Sequence, residues 1–132
     1  MPIVEFSARD LKRGTIVEPA WYTCRVVSVG EAPSKKGDST NYPVEVEIIC
    51  NADNGTDTFA GVPVSYTFNS KALGFAIGFI ESIAGEKPQA GKRVDLAAAE
   101  GQLIDIFIEN GIYEGRPKNE VNHKYRKATV RG

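Results

Sequence analysis

The chain has 132 residues, of which 42% are hydrophobic and 25% charged, and a formal net charge of −1. That length fits one domain with residues enough to bury a core, and that composition excludes wholesale disorder. The longest apolar stretch, around Ala72–Ile80, is half of what a membrane span needs, and no charged and then apolar leader opens the chain. Neither a spanning helix nor a secretory signal is therefore expected, and the cytoplasm is the expected compartment.

Residues 1–20 read as an N-terminal arm, with Ser7 capping one helical turn through Leu11, and with Gly14 and Pro19 as breakers. Trp21–Val29 is the first strand, rich in aromatic and β-branched residues. Period two puts Tyr22, Cys24 and Val26 on an inner face, and Trp21, Thr23, Arg25 and Val27 on an outer one. Gly30–Asn41 is a polar loop whose Lys35-Lys36-Gly37-Asp38 has turn chemistry. The second strand, Tyr42–Cys50, alternates Val44, Val46 and Ile48 with Glu45 and Glu47, a half-buried antiparallel pattern. A turn over Asn51–Thr58 leads to the third strand, Phe59–Asn69, with Val62, Val64, Tyr66 and Phe68 on one face and Pro63 pointing to a sheet edge.

One helix follows. Asn69 or Ser70 caps it, and Leu73, Ile77, Ile80 and Ile83, with Phe75 and Phe79 alongside, form its apolar face; Gly85 and Pro88 end it. Asp95–Ala99 suits a short turn of helix, and Gln102–Glu109 is the fourth strand. Asn110-Gly111 is a two-residue hairpin signal into a fifth strand that runs through Tyr113 towards Tyr125. Five strands with one helix between the third and fourth predict a mainly β fold, a five-stranded antiparallel barrel of the OB type; a two-sheet sandwich is the competitor, but it usually needs seven strands. The expected organisation is an arm (1–20), a barrel domain (21–127) and a C-terminal tail (128–132).

Chemistry is sparse. Two cysteines and one histidine, His123, do not supply the four ligands of a structural zinc site, so no metal and no cofactor are expected, and Cys24 and Cys50 read as reduced, buried thiols. No nucleophile elbow, phosphate loop, dinucleotide fingerprint or HExxH motif is present, and no enzyme activity is expected. Charge is unevenly spread. Residues 1–111 are net acidic, whereas 112–132 carry Arg116, Lys118, Lys124, Arg126, Lys127 and Arg131 against Glu114 and Glu120. A basic end gives a globally acidic protein a local field that attracts polyanions.

Aromatic residues interleave with bases along the chain. Trp21 and Arg25 share a strand face; Lys35 and Lys36 lie in the first loop; Tyr66, Phe68 and Lys71 gather at the exit of the third strand. Tyr113, Arg116, Lys118 and Asn119, then Asn122, Lys124, Tyr125 and Arg126, mark the last hairpin. Single-strand binders use this mixture, with flat rings stacking on unpaired bases and cations following the phosphates. Period two also offers Tyr66 and Phe68 as core residues, since they share parity with Val62 and Val64.

The order of these segments resembles that of small phage-encoded single-stranded DNA-binding proteins. The resemblance is carried by Trp21–Val27, Ser34-Lys35-Lys36-Gly37-Asp38 and the strand Val44–Ile49, then Tyr66-Thr67-Phe68-Asn69 ahead of a helix, Ala99-Glu100-Gly101-Gln102 opening a strand, and Tyr113-Glu114-Gly115-Arg116-Pro117-Lys118-Asn119. It spans residues 21–125. It implies an OB fold and sequence-tolerant binding of single strands in phage DNA replication or recombination, in the host cytoplasm, with Lys35, Lys36, Tyr113, Arg116 and Asn119 as contact positions. Members of that group often end in an acidic tail that recruits partners, whereas this sequence ends on a basic run. Single-stranded DNA is the expected partner, with weaker attraction for duplex DNA or RNA; replication or recombination proteins are further candidates, and a monomer or a homodimer is compatible with the sequence. The alternative is a protein–protein module that uses the barrel surface or an exposed strand edge.

Overall fold

A computed structural model describes residues 2–129; the end of the basic tail, Arg131 included, lies outside the described residues. Six strands form one antiparallel sheet: β1 (Ala20–Val29), β2 (Ala32–Pro33), β3 (Thr40–Asn51), β4 (Pro63–Asn69), β5 (Leu103–Tyr113) and β6 (Arg116–Lys127). The order is β2-β3-β1-β5-β6, with β4 paired to β3. A short helix, α1 (Ala8–Lys12), precedes β1, and α2 (Ile77–Ala84) stands between β4 and β5.

The mainly β fold and the helix after the third long strand agree with the sequence pattern. The closed five-stranded barrel does not: the sheet has a sixth, two-residue strand, and no backbone ladder joins β4 to β6 among the described residues. The physical reason stands between them. Tyr66 and Phe68 on β4 face His123 and Tyr125 on β6, and the Tyr66 and Tyr125 ring centroids are 6.2 Å apart. Rings of that size hold the two backbones beyond the roughly 4.8 Å spacing of paired strands.

The inner faces of the strands bury Tyr22, Cys24 and Val26 from β1, Val46 and Ile48 from β3, and Ile104, Ile106 and Ile108 from β5. Each large apolar side chain removed from water contributes about 1.5–3 kcal/mol, so this inner layer dominates stability. Cys24 and Cys50 are both buried and free, and burial pushes the Cys24 thiol far above its ordinary range. Part of the arm joins the core: Val17 is buried, and Asn119 fixes it from β6, accepting from Val17 N at 2.9 Å and donating to Thr15 O at 2.8 Å.

Four local expectations are corrected. The third strand starts at Pro63 rather than Phe59, because Asp57–Val62 turn on themselves through Ala60 N to Asp57 O and Val62 N to Phe59 O. The helix begins as a 3-10 segment, Ser70–Ala76, interrupted at Ala72, and becomes α-helical only from Ile77. That break shifts the helical phase, so Ala76 and Phe79 are buried while Leu73, Phe75 and Ile77 are exposed. The hairpin reverses at Glu114-Gly115 and not at Asn110-Gly111. Glu114 and Gly115 both have positive φ, as a tight two-residue turn requires, while the Asn110 amide instead donates to Val17 O at 3.1 Å inside the ladder.

Candidate nucleic-acid interface

The outer face of β1, β5 and β6 is built by register. Trp21 lies opposite Phe107, Thr23 opposite Asp105, and Asp105 opposite Arg126. Trp21 and Phe107 meet edge to face with centroids 5.6 Å apart. The Arg126 guanidinium lies 4.4 Å from the centre of the Trp21 ring, and Lys124 Nζ lies 5.3 Å from that of Phe107. Cations over ring faces are attracted by the ring quadrupole, each contact being worth about 0.5–1 kcal/mol at an exposed site.

A buried carboxylate anchors this layer. Asp105 is wholly inaccessible, yet it accepts from Thr23 Oγ1 at 2.7 Å, Arg126 Nε at 3.1 Å and Thr129 N at 3.2 Å, and from the Thr129 hydroxyl. Arg126 also donates to Asp53 at 3.0 Å; Asp53, and with it Asp105, hold the guanidinium above its already high range. The cation over Trp21 is therefore fixed in place and permanently charged.

The same face continues to the hairpin tip. Tyr113 is 63% exposed, opposes Arg116, and has Lys118 Nζ 5.6 Å from its ring centre. A bulge sits between these two groups: β6 spends four residues from Val121 to Tyr125 where β5 spends two from Ile108 to Ile106. His123 occupies it with φ of 57°, a left-handed value for a non-glycine residue. The two extra residues preserve the alternation, so His123 and Tyr125 stay on the inner side with Val121 while Lys124 and Arg126 stay on the outer face.

Not every residue proposed from sequence lies here. Trp21, Lys124, Tyr113, Arg116 and Lys118 do. Arg25 is also on this face, ion-paired with Glu47, as Lys124 is with Glu109 at 3.6 Å. Lys35, Lys36 and Lys71 form a separate patch, on the loop before β3 and on the 3-10 segment after β4. Lys35 and Lys36 are exposed on the loop, and Lys71 pairs with Asp38 at 2.7 Å, which holds the Asp38 carboxyl below its ordinary range. The amide of Asn69 ties this patch together, donating to Ser39 and Asn41.

Phe68, Tyr66, Tyr125 and Asn119 are corrected. Phe68 is 1% exposed and packs against Phe79 at 5.4 Å, so it presents no face to a base. Tyr66 shares its side of β4, and its buried hydroxyl has no hydrogen-bond partner of good geometry; burial, then the neighbouring Tyr125, raise its ionisation well above the ordinary range. Tyr125 opposes Ile106 on the inner side, with its own phenol pushed up by burial. Asn119 has its amide engaged by the arm.

Phe107 escaped the sequence-based contact set. Parity within the fourth strand was the available signal: Phe107 alternates with Ile106 and Ile108 and so faces outward with Asp105 and Glu109. On β3 the outer face is different in kind, carrying Glu45 and Glu47, paired with Arg13 and Arg25.

No protein-family model matches the chain, and no curated protein matches it. Among the described residues no group of three or more His, Cys, Asp or Glu side chains is placed to hold a metal ion, and no helix is long and apolar enough to cross a membrane.

Proposed function

We propose that this protein binds single-stranded DNA without sequence preference, in phage DNA replication or recombination in the host cytoplasm. The observation that carries the reading is the outer stripe of β1, β5 and β6, where each of three rings has its own cation: Trp21 with Arg126, Phe107 with Lys124, and Tyr113 with Lys118. Unpaired bases stack on such rings whatever their identity, at about 1–3 kcal/mol per base; Arg116 and Lys118 follow the phosphates, while Arg126 and Lys124, already met by Asp53, Asp105 and Glu109, orient their rings. Bidentate donors and acceptors arranged to read base edges are not needed for this task. The mechanism is passive and involves no turnover: the strand is held unpaired.

An OB-type barrel is the matching fold reading. It is supported by the order β4-β3-β1-β5-β6, by the helical segment between the third and fourth long strands, and by the ring cluster that fills the gap between β4 and β6.

The test is anisotropy of a dye-labelled poly-thymidine oligonucleotide and a matched duplex at low and moderate salt. The expected result is tight binding of the single strand, weaker binding of the duplex, and a fall in affinity with salt of about 0.7 log units per log unit for each phosphate neutralised. Absence of binding at low salt, where phosphate contacts are strongest, overturns the reading.

A further inference from the structure

Four large apolar side chains of the N-terminal arm stand in water. Ile3 is 90% exposed, Val4 71%, Phe6 66% and Leu11 73%. The arm is not loose at its root: Lys12 Nζ donates to Ala60 O at 2.7 Å, Arg13 pairs with Glu45 at 3.2 Å, and Val17 is buried. Residues 2–6 thus leave a fixed point as an apolar strip with no cover on their own chain.

An apolar trough lies elsewhere on the molecule, between α2 and the segment that follows it. Its larger limb has a volume of about 600 Å³ and its smaller limb about 310 Å³. Ile80, Pro88, Val94 and Leu96 line both limbs, and Leu73 and Ile77 floor the larger. The phase shift at Ala72 is what leaves Leu73 and Ile77 facing outward here, each nearly half exposed. Lys87, Lys92 and Arg93 line the smaller limb with Glu86 and Asp95, which leaves it net positive, and none of the three cations forms an ion pair among the described residues. Glu5, between Val4 and Phe6, likewise has no ion partner among them.

We propose that the trough receives residues 3–6 of a second copy of this chain, so that two molecules exchange arms. Ile3, Val4 and Phe6 supply the apolar fill, and Glu5 meets the Lys87, Lys92 and Arg93 rim. Because each copy both gives and receives, the exchange closes on a twofold axis with every arm and every trough occupied, and no open chain of subunits results. Removal of both apolar surfaces from water drives the association. The outer stripe of β1, β5 and β6 is not used, so the exchange is independent of nucleic-acid binding.

Sedimentation of the full chain from low to high micromolar concentration tests this. The expected species has twice the 14.3 kDa chain mass. Phe6→Asp and Leu73→Asp, both at exposed positions whose folding is checked by circular dichroism, each reduce it to the single-chain mass. An equimolar mixture of the two variants regains a dimer, because one intact arm then meets one intact trough. Both variants keep the oligonucleotide affinity of the parent, which separates failure here from failure of the DNA-binding reading. A wild-type chain that stays monomeric at every concentration, a dimer that survives Phe6→Asp, or a mixture that does not reassociate overturns the proposal.

Discussion

The protein has two aromatic clusters, one on each side of the same sheet. Inside, Tyr66, Phe68, Phe79, His123 and Tyr125 meet ring to ring, with Phe68 and Phe79 wholly buried. Outside, Trp21, Phe107 and Tyr113 meet cations. Composition does not separate them; side-chain parity does. A ring on the inner parity finds apolar neighbours and loses its access to water, and its energy goes into holding β4, α2 and β6 together. A ring on the outer parity finds a lysine or arginine and keeps a face near solvent, which suits it to a charged, flat ligand. The comparison also divides the basic residues: Arg126 and Lys124 meet a ring and a carboxylate at once, Lys118 meets the Tyr113 ring, and Arg25 and Lys71 are paired with carboxylates.

The largest effect expected from this division is on stability. Phe68→Ala removes a buried ring from the inner cluster and costs about 3–5 kcal/mol, read by urea unfolding. It leaves the oligonucleotide affinity of the folded protein unchanged; a parallel loss of affinity would mean the two clusters are not separate. Trp21→Ala is the mirror experiment. It lowers single-strand affinity by about 1–3 kcal/mol, with a smaller effect on unfolding. An unchanged affinity would demote Trp21 to an outer packing residue.

Next in size are the cations. Lys118→Ala weakens binding evenly across sequences and flattens the slope of log affinity against log salt by about 0.7. Lys124→Ala and Lys71→Ala, whose charges are already met by Glu109 at 3.6 Å and by Asp38, change the slope less. The smallest effect concerns His123, which burial keeps below its ordinary ionisation near 6.5 as it packs against Phe75 at 5.0 Å. The unfolded chain takes up the proton more readily, so this contribution to stability is full above that value and is lost as the pH falls below it. Urea midpoints measured at pH 7.5 and 5.5 fall less in His123→Gln than in the wild type if this is right.

Much of the fold was legible because it rests on period two. The inner sets Tyr22-Cys24-Val26 and Val44-Val46-Ile48, and the Asn69 cap on the helical segment, follow from alternation and capping chemistry. What was not legible depends on pairing. Asn110-Gly111 has the better hairpin sequence, yet Val17 O captures the Asn110 amide and Glu114-Gly115 takes the turn. The helical phase is reset by a non-helical Ala72, which no periodicity count reveals. That Tyr113, Lys118 and Lys124 lie on one hairpin was legible because basic and aromatic residues cluster there in the sequence. Phe107 was hidden in an apolar run, and its partner Lys124 comes over it only across a bulge. The arm's clasp by Asn119 spans more than a hundred residues and has no local signature.

Trp21 is the only tryptophan, so its emission reports on the outer stripe alone. The most direct test is therefore Trp21 fluorescence during a poly-thymidine titration at low salt, followed alongside oligonucleotide anisotropy. The account predicts saturable quenching with the same midpoint as the anisotropy change. Binding seen by anisotropy with Trp21 emission unaltered would place the strand elsewhere on the molecule and contradict the account.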